Sequence, residues 1–425
     1  MNKSNTSLNK LMIGQLILIG LMFIGLLFSR AVLSMSMIGA IAIGVLSVRN
    51  LKLSWSGLKK HPVFVIGVFL FAYHLLSVFW VKNIGLWQED IQLKIPLLLF
   101  PFAMLAFPIQ DKKFQVNALM IMQLVLTAGI LYSFNFLIQD WEQFKQGKHF
   151  RGPVGNDYLR FAMALILTLN ISIYQNFSKL TQVIKGGKLH RVISVVFVVL
   201  TFAYLHIQSS KLGLLGLYAL ILLLGIGFFK SKWGNKIFYT LTVSLIVLML
   251  LAAKFLPVLN HQFSRIEKEY VVWKNNDVEH YNDPDVTSFV PRLISYQIAV
   301  DLIKERPILG VGAGGVFPAM QEVYAEKYPN LRLVITPHNQ PLNTGVALGF
   351  VAGLLMLIML FYPLLKGGTV FERANALVLI IACMVEAMLE IQNGLFIYLF
   401  FTYWWIKDSL PSQFQVTSRY SIEKG

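Results

Sequence analysis

The chain has 425 residues, of which 56% are hydrophobic and only 14% are charged, and its formal net charge is +16. This composition excludes a soluble globular domain, because apolar runs of about 18 or more residues need a bilayer to bury them. The positive charge lies in short connections between apolar runs and forms no single basic face, so nucleic acid is excluded as a partner. The single cysteine, Cys383, lies in an apolar run, which excludes a disulfide framework.

Twelve apolar runs of spanning or near-spanning length follow one another along the chain. They predict an all-α integral membrane protein with about twelve transmembrane helices. The first run is too long for a secretory signal and no cleavage site follows it, so it predicts an uncleaved membrane helix. The runs cover residues 11–28, 31–48, 62–80, 95–109, 115–138, 158–175, 192–207, 212–229, 237–256, 341–362, 374–390 and 395–406.

Lysine and arginine are distributed unevenly between the connections. Those after the second, fourth, sixth, eighth and tenth runs hold fifteen, whereas the alternate short connections hold seven. Cytoplasmic connections carry the excess of Lys and Arg in membrane proteins. The pattern therefore predicts that both termini, including a tail over 407–425, are cytoplasmic. It also predicts that residues 257–340 lie on the outer face.

Residues 257–340, here called the polar segment, separate the membrane helices of 1–256 from those of 341–406. Between positions 258 and 337 this segment holds ten of the twenty-one acidic residues of the chain. Two stripes with helical spacing, Leu293/Tyr296/Val300/Ile303 and Phe317/Met320/Tyr324/Tyr328, predict a small helical subdomain on the membrane surface.

His338 lies in Pro337-His338-Asn339-Gln340-Pro341, where the polar segment meets the next apolar run. Asn339 is suited to cap the following helix, with Pro341 in its first turn. The partial positive charge of a helix N-terminus disfavours the imidazolium form, and a neutral histidine accepts a proton from a hydroxyl. The alternative is a histidine that only pairs with a carbonyl at the start of a helix.

Four cations, Arg151, Arg160, Lys211 and Arg292, lie at the outer boundary of the membrane in this topology. Converging cations suit a phosphate or diphosphate group. The alternative is that each anchors the end of a helix, and this is the better interpretation of Arg160 taken alone. Arg292 is the stronger candidate because it shares the polar segment with His338.

Glu386 and Glu390 are spaced i, i+4 in the eleventh run, which places both on one face of a predicted helix near its outer end. Carboxylates in membrane helices are costly and are usually functional or paired. They are therefore expected to orient His338 or the cations, to hold a proton, or to form a structural ion pair.

Two further motifs resemble ligand sites. Gly310–Gly315 superficially matches a dinucleotide loop, but it follows a helix and lies on the outer face. A tight turn that lets the backbone approach a ligand or a neighbouring helix is the better interpretation. Asp283-Pro284-Asp285 matches a metal-binding pair, but a solvated turn is favoured, and His261 and His280 lack ligand spacing with these acids. The sequence predicts no metal and no cofactor.

Several of these residues together resemble the O-antigen ligase/polymerase superfamily. The resemblance is carried by Pro291-Arg292-Leu293, by Ala299–Gly312 with its Arg306-Pro307-Ile308-Leu309-Gly310 turn, by Pro337-His338-Asn339, and by Gly345 with the helix Val346–Leu357. Weaker similarities are Ser209–Gly213 and Gly152–Asn156.

The resemblance implies a GT-C-like lipid-linked glycan transferase in the bacterial inner membrane, with its active site facing the periplasm. It implies a glycan donor on undecaprenyl diphosphate and, in ligases, a lipid A–core acceptor. By motif position His338 is the base, and Arg292, Lys211 and either Arg151 or Arg160 bind the diphosphate, with Arg151 favoured. Asn339, Glu386 and Glu390 are supporting residues. Lys211 departs from the arginine that is common in the family, which puts bidentate phosphate binding in doubt.

Two alternatives stay open at the level of sequence. One is a polysaccharide polymerase, which uses a second lipid-linked repeat as acceptor. The other is an envelope transporter or flippase, with Glu386 and Glu390 as ion-coupling residues. Transporters often contain two related halves with polar sites at the midplane. This chain has no visible repeat and its polar residues lie towards helix ends, so a metal-independent, inverting transfer is favoured.

Overall fold

The computed structural model describes residues 3–46, 55–109, 111–146, 149–153, 157–178, 187–232, 239–240, 243, 247, 257–275, 277–283, 286 and 288–409. These residues form helices and no strand. In chain order the helices are α1 Lys3–Phe28, α2 Arg30–Leu46, α3 Pro62–Leu76, α4 Ile84–Ala106, α5 Lys112–Gln139, α6 Trp141–Lys145, α7 Tyr158–Phe177, α8 Gly187–Gln208, α9 Lys211–Lys232, α10 Pro257–Lys274, α11 Phe289–Glu305, α12 Val316–Lys327, α13 Gln340–Leu348, α14 Phe350–Lys366, α15 Val370–Val385 and α16 Gln392–Ser409.

The described helices have the apolar character of a helical membrane protein. Four windows are long and apolar enough to cross a membrane: Lys10–Phe28, Pro62–Phe79, Lys112–Gln139 and Gly187–Gln208. Shorter apolar helices occur in α2, α9 and α14. Large apolar side chains point outwards from α5 and α8, where Ile138 is 75% exposed and Val199 60%. Apolar surface of this extent is unusual in a soluble monomer and suits contact with lipid.

Most of the predicted apolar runs coincide with a helix. The first eight match α1 to α5 and α7 to α9, and the twelfth matches α16. The ninth run, 237–256, lies almost entirely outside the described residues, as does most of the predicted tail over 407–425. The total of twelve membrane helices and the domain boundaries therefore stay predictions.

The tenth run was expected to be one helix and is two. Gly349 breaks it between α13 and α14, with φ +89°. A Cβ built at Gly349 would lie 2.3 Å from the carbonyl oxygen of Ile308, so glycine is the residue that fits. The turn after α11 fills the break, because the Phe350 N–H donates to the Pro307 carbonyl at 2.8 Å.

The glycine-rich motif closes the same break from the other side. The N–H groups of Val311 and Gly312 donate to the carbonyls of Val346 and Ala347, at 2.9 and 2.8 Å. These carbonyls belong to the last turn of α13, where no intrahelical donor is available. A Cβ at Gly310, whose φ is +64°, would lie 2.4 Å from the Ala347 oxygen. The expected tight turn is confirmed, and of its two expected neighbours, a ligand or a helix, the structure contains the helix.

The eleventh run is shorter than predicted. α15 ends at Val385, and Glu386 is extended, with φ −139° and ψ 147°. Glu390 lies in the short 3₁₀ helix Met388–Glu390. The two carboxylates are thus not one turn apart on a single helix, and the predicted i, i+4 arrangement is wrong. Ending the helix early lets each carboxylate reach a different partner.

The polar segment contains the predicted helices as α11 and α12, preceded by α10. The buried face of α11 differs from the expected stripe: it carries Ile294, Ile298 and Leu302, whereas Val300 is 39% exposed. A buried carboxylate, Glu269 of α10, accepts hydrogen bonds from the backbone N–H groups of Ser288, Phe289 and Val290. A carboxylate at this position stabilises the N-terminus of α11 and fixes that helix against α10.

Candidate functional site

His338 stands immediately before α13. Asn339 is the N-cap of that helix, its side chain accepting from the Leu342 N–H at 3.0 Å, and Pro341 lies in the first turn. This confirms the predicted cap. The amide of Asn339 also donates to the Met384 carbonyl at 3.1 Å, which ties the start of α13 to the end of α15. The backbone of His338 is held as well, because its carbonyl accepts from the Tyr296 hydroxyl at 2.9 Å.

Glu386 joins the histidine to an arginine of the polar segment. Its Oε1 lies 3.0 Å from Nδ1 of His338 and 3.2 Å from Nη2 of Arg292. Arg292 is in the first turn of α11, so three separate parts of the chain meet at one carboxylate oxygen. The side chain of Glu386 is 10% exposed, whereas those of His338 and Arg292 are 32% and 30% exposed. The carboxylate is covered while the histidine and the arginine remain accessible.

The charge of Glu386 decides the tautomer of His338. Burial raises the pKa of Glu386, but the hydrogen bond and charge of His338, together with Arg292 and Arg160, outweigh burial and leave the pKa below its usual value. An ionised carboxylate only accepts hydrogen bonds, so Nδ1 of the histidine carries the proton. Whenever the ring is neutral, Nε2 is therefore the free nitrogen that can accept a proton.

Arg160 belongs to the same group of charges. It lies in the first turn of α7, and its Nη1 donates to Asp157 at 2.9 Å. Its side chain is only 12% exposed. Within the described part of the chain, the buried Nε has no hydrogen-bond partner. A covered guanidinium with an unused donor is a good place for an additional anionic oxygen.

Two further cations belong to this group of charges. One is Lys211, at the start of α9, and the other is Arg265, which the sequence analysis did not single out. Lys211 lies within electrostatic reach of Glu269, Arg265 and Arg292. Arg265 is in α10, one turn before Glu269, and its charge also acts on His149. The composition of the polar segment, which is rich in both acids and bases, gave no signal that would separate Arg265 from its charged neighbours.

Arg151 is placed differently. Its Nε lies 3.6 Å from Asp140, its guanidinium carbon is 5.7 Å from the centre of the Phe136 ring, and its side chain is 64% exposed. These partners belong to the end of α5 and the connection after it. Of the two arginines between which the sequence did not decide, Arg160 is the one whose charge acts on Glu386 and lowers its pKa.

Glu390 does not contact His338. Its Oε1 lies 2.9 Å from Nζ of Lys94 in α4 and accepts a hydrogen bond from Gln340 at 2.7 Å. Of the outcomes expected for the two carboxylates, Glu386 binds the histidine and a cation, while Glu390 forms an ion pair with the buried Lys94.

The acidic turn at 283–285 is described only in part, because Pro284 and Asp285 lie outside the described residues. Nearby, His280 Nδ1 lies 2.7 Å from Asp277. In the described ranges, no group of three His, Cys, Asp or Glu side chains is arranged to hold a metal ion.

The arrangement combines one proton acceptor with several cations on separate helices. Nε2 of His338 is suited to remove a proton from a hydroxyl, and Arg292, Arg160, Lys211 and Arg265 are suited to stabilise negative charge that develops on a phosphate leaving group. A proton acceptor and several cations in one region are chemically suited to the transfer of a group from a diphosphate to an alcohol.

Comparison with known proteins agrees with this chemistry. A family model described as O-antigen ligase matches residues 196–357, which include Lys211, Arg265, Arg292 and His338. No curated protein matches the chain. The match supports the resemblance that the motifs indicated: residues 196–357 are similar to the O-antigen ligase family.

Proposed function

We propose that this protein transfers a glycan from undecaprenyl diphosphate to a sugar hydroxyl of lipid A–core on the periplasmic face of the inner membrane. Members of its family are lipid-linked glycan transferases. The observation that carries the proposal is the junction at Glu386, where a proton acceptor and a phosphate-binding cation are bound to one carboxylate.

The reaction proceeds in one displacement. Nε2 of His338 takes the proton of the acceptor hydroxyl as its oxygen attacks the anomeric carbon of the donor sugar. The bond between that carbon and the diphosphate oxygen breaks, and undecaprenyl diphosphate leaves with the electron pair. Attack opposite the leaving group inverts the anomeric configuration. Fixed cations stabilise the charge on the leaving oxygen without a metal ion, because they are already positioned when the bond breaks.

For the third donor-binding cation we propose Arg160 in place of Arg151. Its Nε is buried and without a partner among the described residues, and its charge acts on the carboxylate that holds His338 and Arg292. Arg151, by contrast, is exposed and paired with Asp140. Arg265 joins the set because it shares the electrostatic environment of Lys211.

The function is tested with purified protein, a lipid-linked glycan donor and one acceptor at a time. With lipid A–core we expect glycan attached to the core and release of undecaprenyl diphosphate. With a second lipid-linked glycan as the only acceptor we expect no product. Lengthened lipid-linked chains would instead assign the protein as a polymerase. If neither covalent product forms, the transferase proposal fails and the transporter alternative gains support.

The choice between the two arginines is tested by a matched pair of variants. Arg160→Ala is expected to raise the KM for the lipid-linked donor roughly 10- to 100-fold, because a hydrogen bond to a charged group contributes about 1.5–3 kcal/mol. Arg151→Ala is expected to leave that KM close to the wild-type value. A larger effect at Arg151 than at Arg160 would contradict this assignment and restore the preference drawn from sequence.

A further inference from the structure

Lys94 is a buried cation in the middle of α4, and the proposed reaction does not use it. Its side chain is 2% exposed. Besides its ion pair with Glu390, its Nζ donates to the carbonyl of Leu389 at 2.7 Å. A buried ion pair contributes little net stability compared with apolar residues of the same volume, so packing alone gives no reason for a lysine at this position.

Gln340 holds the same two residues from the side of α13. Its amide nitrogen donates to Glu390 at 2.7 Å, and its amide oxygen accepts from the Leu389 N–H, also at 2.7 Å. Lys94 and Gln340 together therefore bind both backbone polar groups of Leu389 and the carboxylate of Glu390. The 3₁₀ helix Met388–Glu390 is thereby fixed relative to both α4 and α13.

The contact between Gln340 and the 3₁₀ helix is followed directly by contacts of Asn339 and His338 with the same loop. Three consecutive side chains of the segment 338–340 bind the segment 384–390: His338 binds Glu386, Asn339 binds the Met384 carbonyl, and Gln340 binds Leu389 and Glu390. Lys94 binds the end of the 384–390 segment that is farthest from His338, at Leu389 and Glu390. The position of Glu386 under His338 thus depends on where Lys94 holds the 384–390 loop.

We propose that Lys94 is a positioning residue for the His338–Glu386 pair. It touches neither the histidine nor Glu386 in the contacts described above, and it acts by holding the 384–390 loop against the start of α13. The expected change in kcat rests on the proposed function. The geometry of the His338–Glu386 pair does not, because it can be measured without any glycan transfer.

The rate test compares two variants and a control. Lys94→Met is expected to lower kcat by about 100-fold with little change in KM, since a displacement of about 1 Å costs that much in rate. The double variant Lys94→Met/Glu390→Gln removes both charges of the ion pair, so Glu390 is not left as an unpaired carboxylate. Asp90, whose charge also interacts with Lys94, keeps His74 at 3.8 Å. The double variant is still expected to be slow, because the Leu389 carbonyl has lost its donor and the loop is no longer tied to α4. Lys82→Met, in an exposed pair with Glu322, is expected to keep the wild-type kcat.

The second readout is the tautomer of His338, measured by ¹⁵N NMR of histidine-labelled protein. We expect Nδ1–H alone in the wild type and in Lys82→Met, and a mixture of tautomers in the double variant. A wild-type kcat or a wild-type tautomer in the double variant would overturn the proposal and leave Lys94 a purely structural residue. If the wild type itself transfers no glycan, the proposed function fails, but the tautomer still decides the role of Lys94.

Discussion

Replacement of His338 by alanine is expected to lower the rate of glycan transfer by about 10²- to 10⁴-fold, the usual contribution of a positioned general base. The loss arises because, among the described residues, His338 is the histidine that is bound to Glu386 and it supplies the proposed proton acceptor. The protein should still accumulate in the membrane, since Asn339 and Pro341 continue to start α13. Transfer is measured as glycan attached to lipid A–core by purified protein.

His280→Ala is the matched control for this variant. His280 also belongs to the polar segment, but its side chain is 54% exposed and paired with Asp277. We expect its rate to equal that of the wild type. Near-normal transfer by His338→Ala would remove the general-base assignment, and an equal loss in both variants would point to a general effect of removing a histidine from this segment.

Glu386→Gln is expected to be the second most damaging change, with kcat lowered by about 10²- to 10⁴-fold. The amide keeps the size of the side chain but is able to donate a hydrogen bond to Nδ1 of His338. The ring proton then moves to Nε2, where it blocks acceptance of the hydroxyl proton. The same change removes the ionic partner of Arg292, so the donor KM should also rise. Steady-state kinetics with the lipid-linked donor separate the two effects.

The control here is Glu322→Gln, which makes the same replacement in an exposed ion pair with Lys82. It is expected to leave both kinetic constants unchanged. A wild-type kcat for Glu386→Gln would mean that the tautomer of His338 is set by something other than this carboxylate, and the account of the site would have to change.

The parts of the site that were predictable from sequence depend on local signals. The cap at Asn339, the proline after it and the placement of His338 between a polar segment and an apolar run are all encoded within a few residues. The interpretation of Gly310–Gly315 as a tight turn was also local, because the glycines allow the close approach to Ala347 that the structure contains.

The parts that were missed depend on distant contacts. In the sequence, Gly349 is an ordinary glycine within an apolar run. The neighbouring residues do not show that the backbone of 306–312 forms hydrogen bonds with the helix at this point. The end of α15 at Val385 is equally hidden, because Glu386 leaves the helix to meet partners 48 and 94 positions away. Lys94 falls in the connection after the third apolar run and entered the topology argument only as one of the seven charges of the alternate connections. Its partner Glu390 lies near the other end of the chain.

The loop over 384–390 lies beyond the stretch that matches the family model, and Lys94 and Arg160 lie before it. Exchange of residues 196–357 between relatives would therefore transplant His338 and Arg292 without the carboxylate that binds both. A chimera designed to change acceptor preference has to include the cognate 384–390 loop and its lysine anchor. The interchangeable unit of this protein is a discontinuous set of segments that is larger than its recognisable domain.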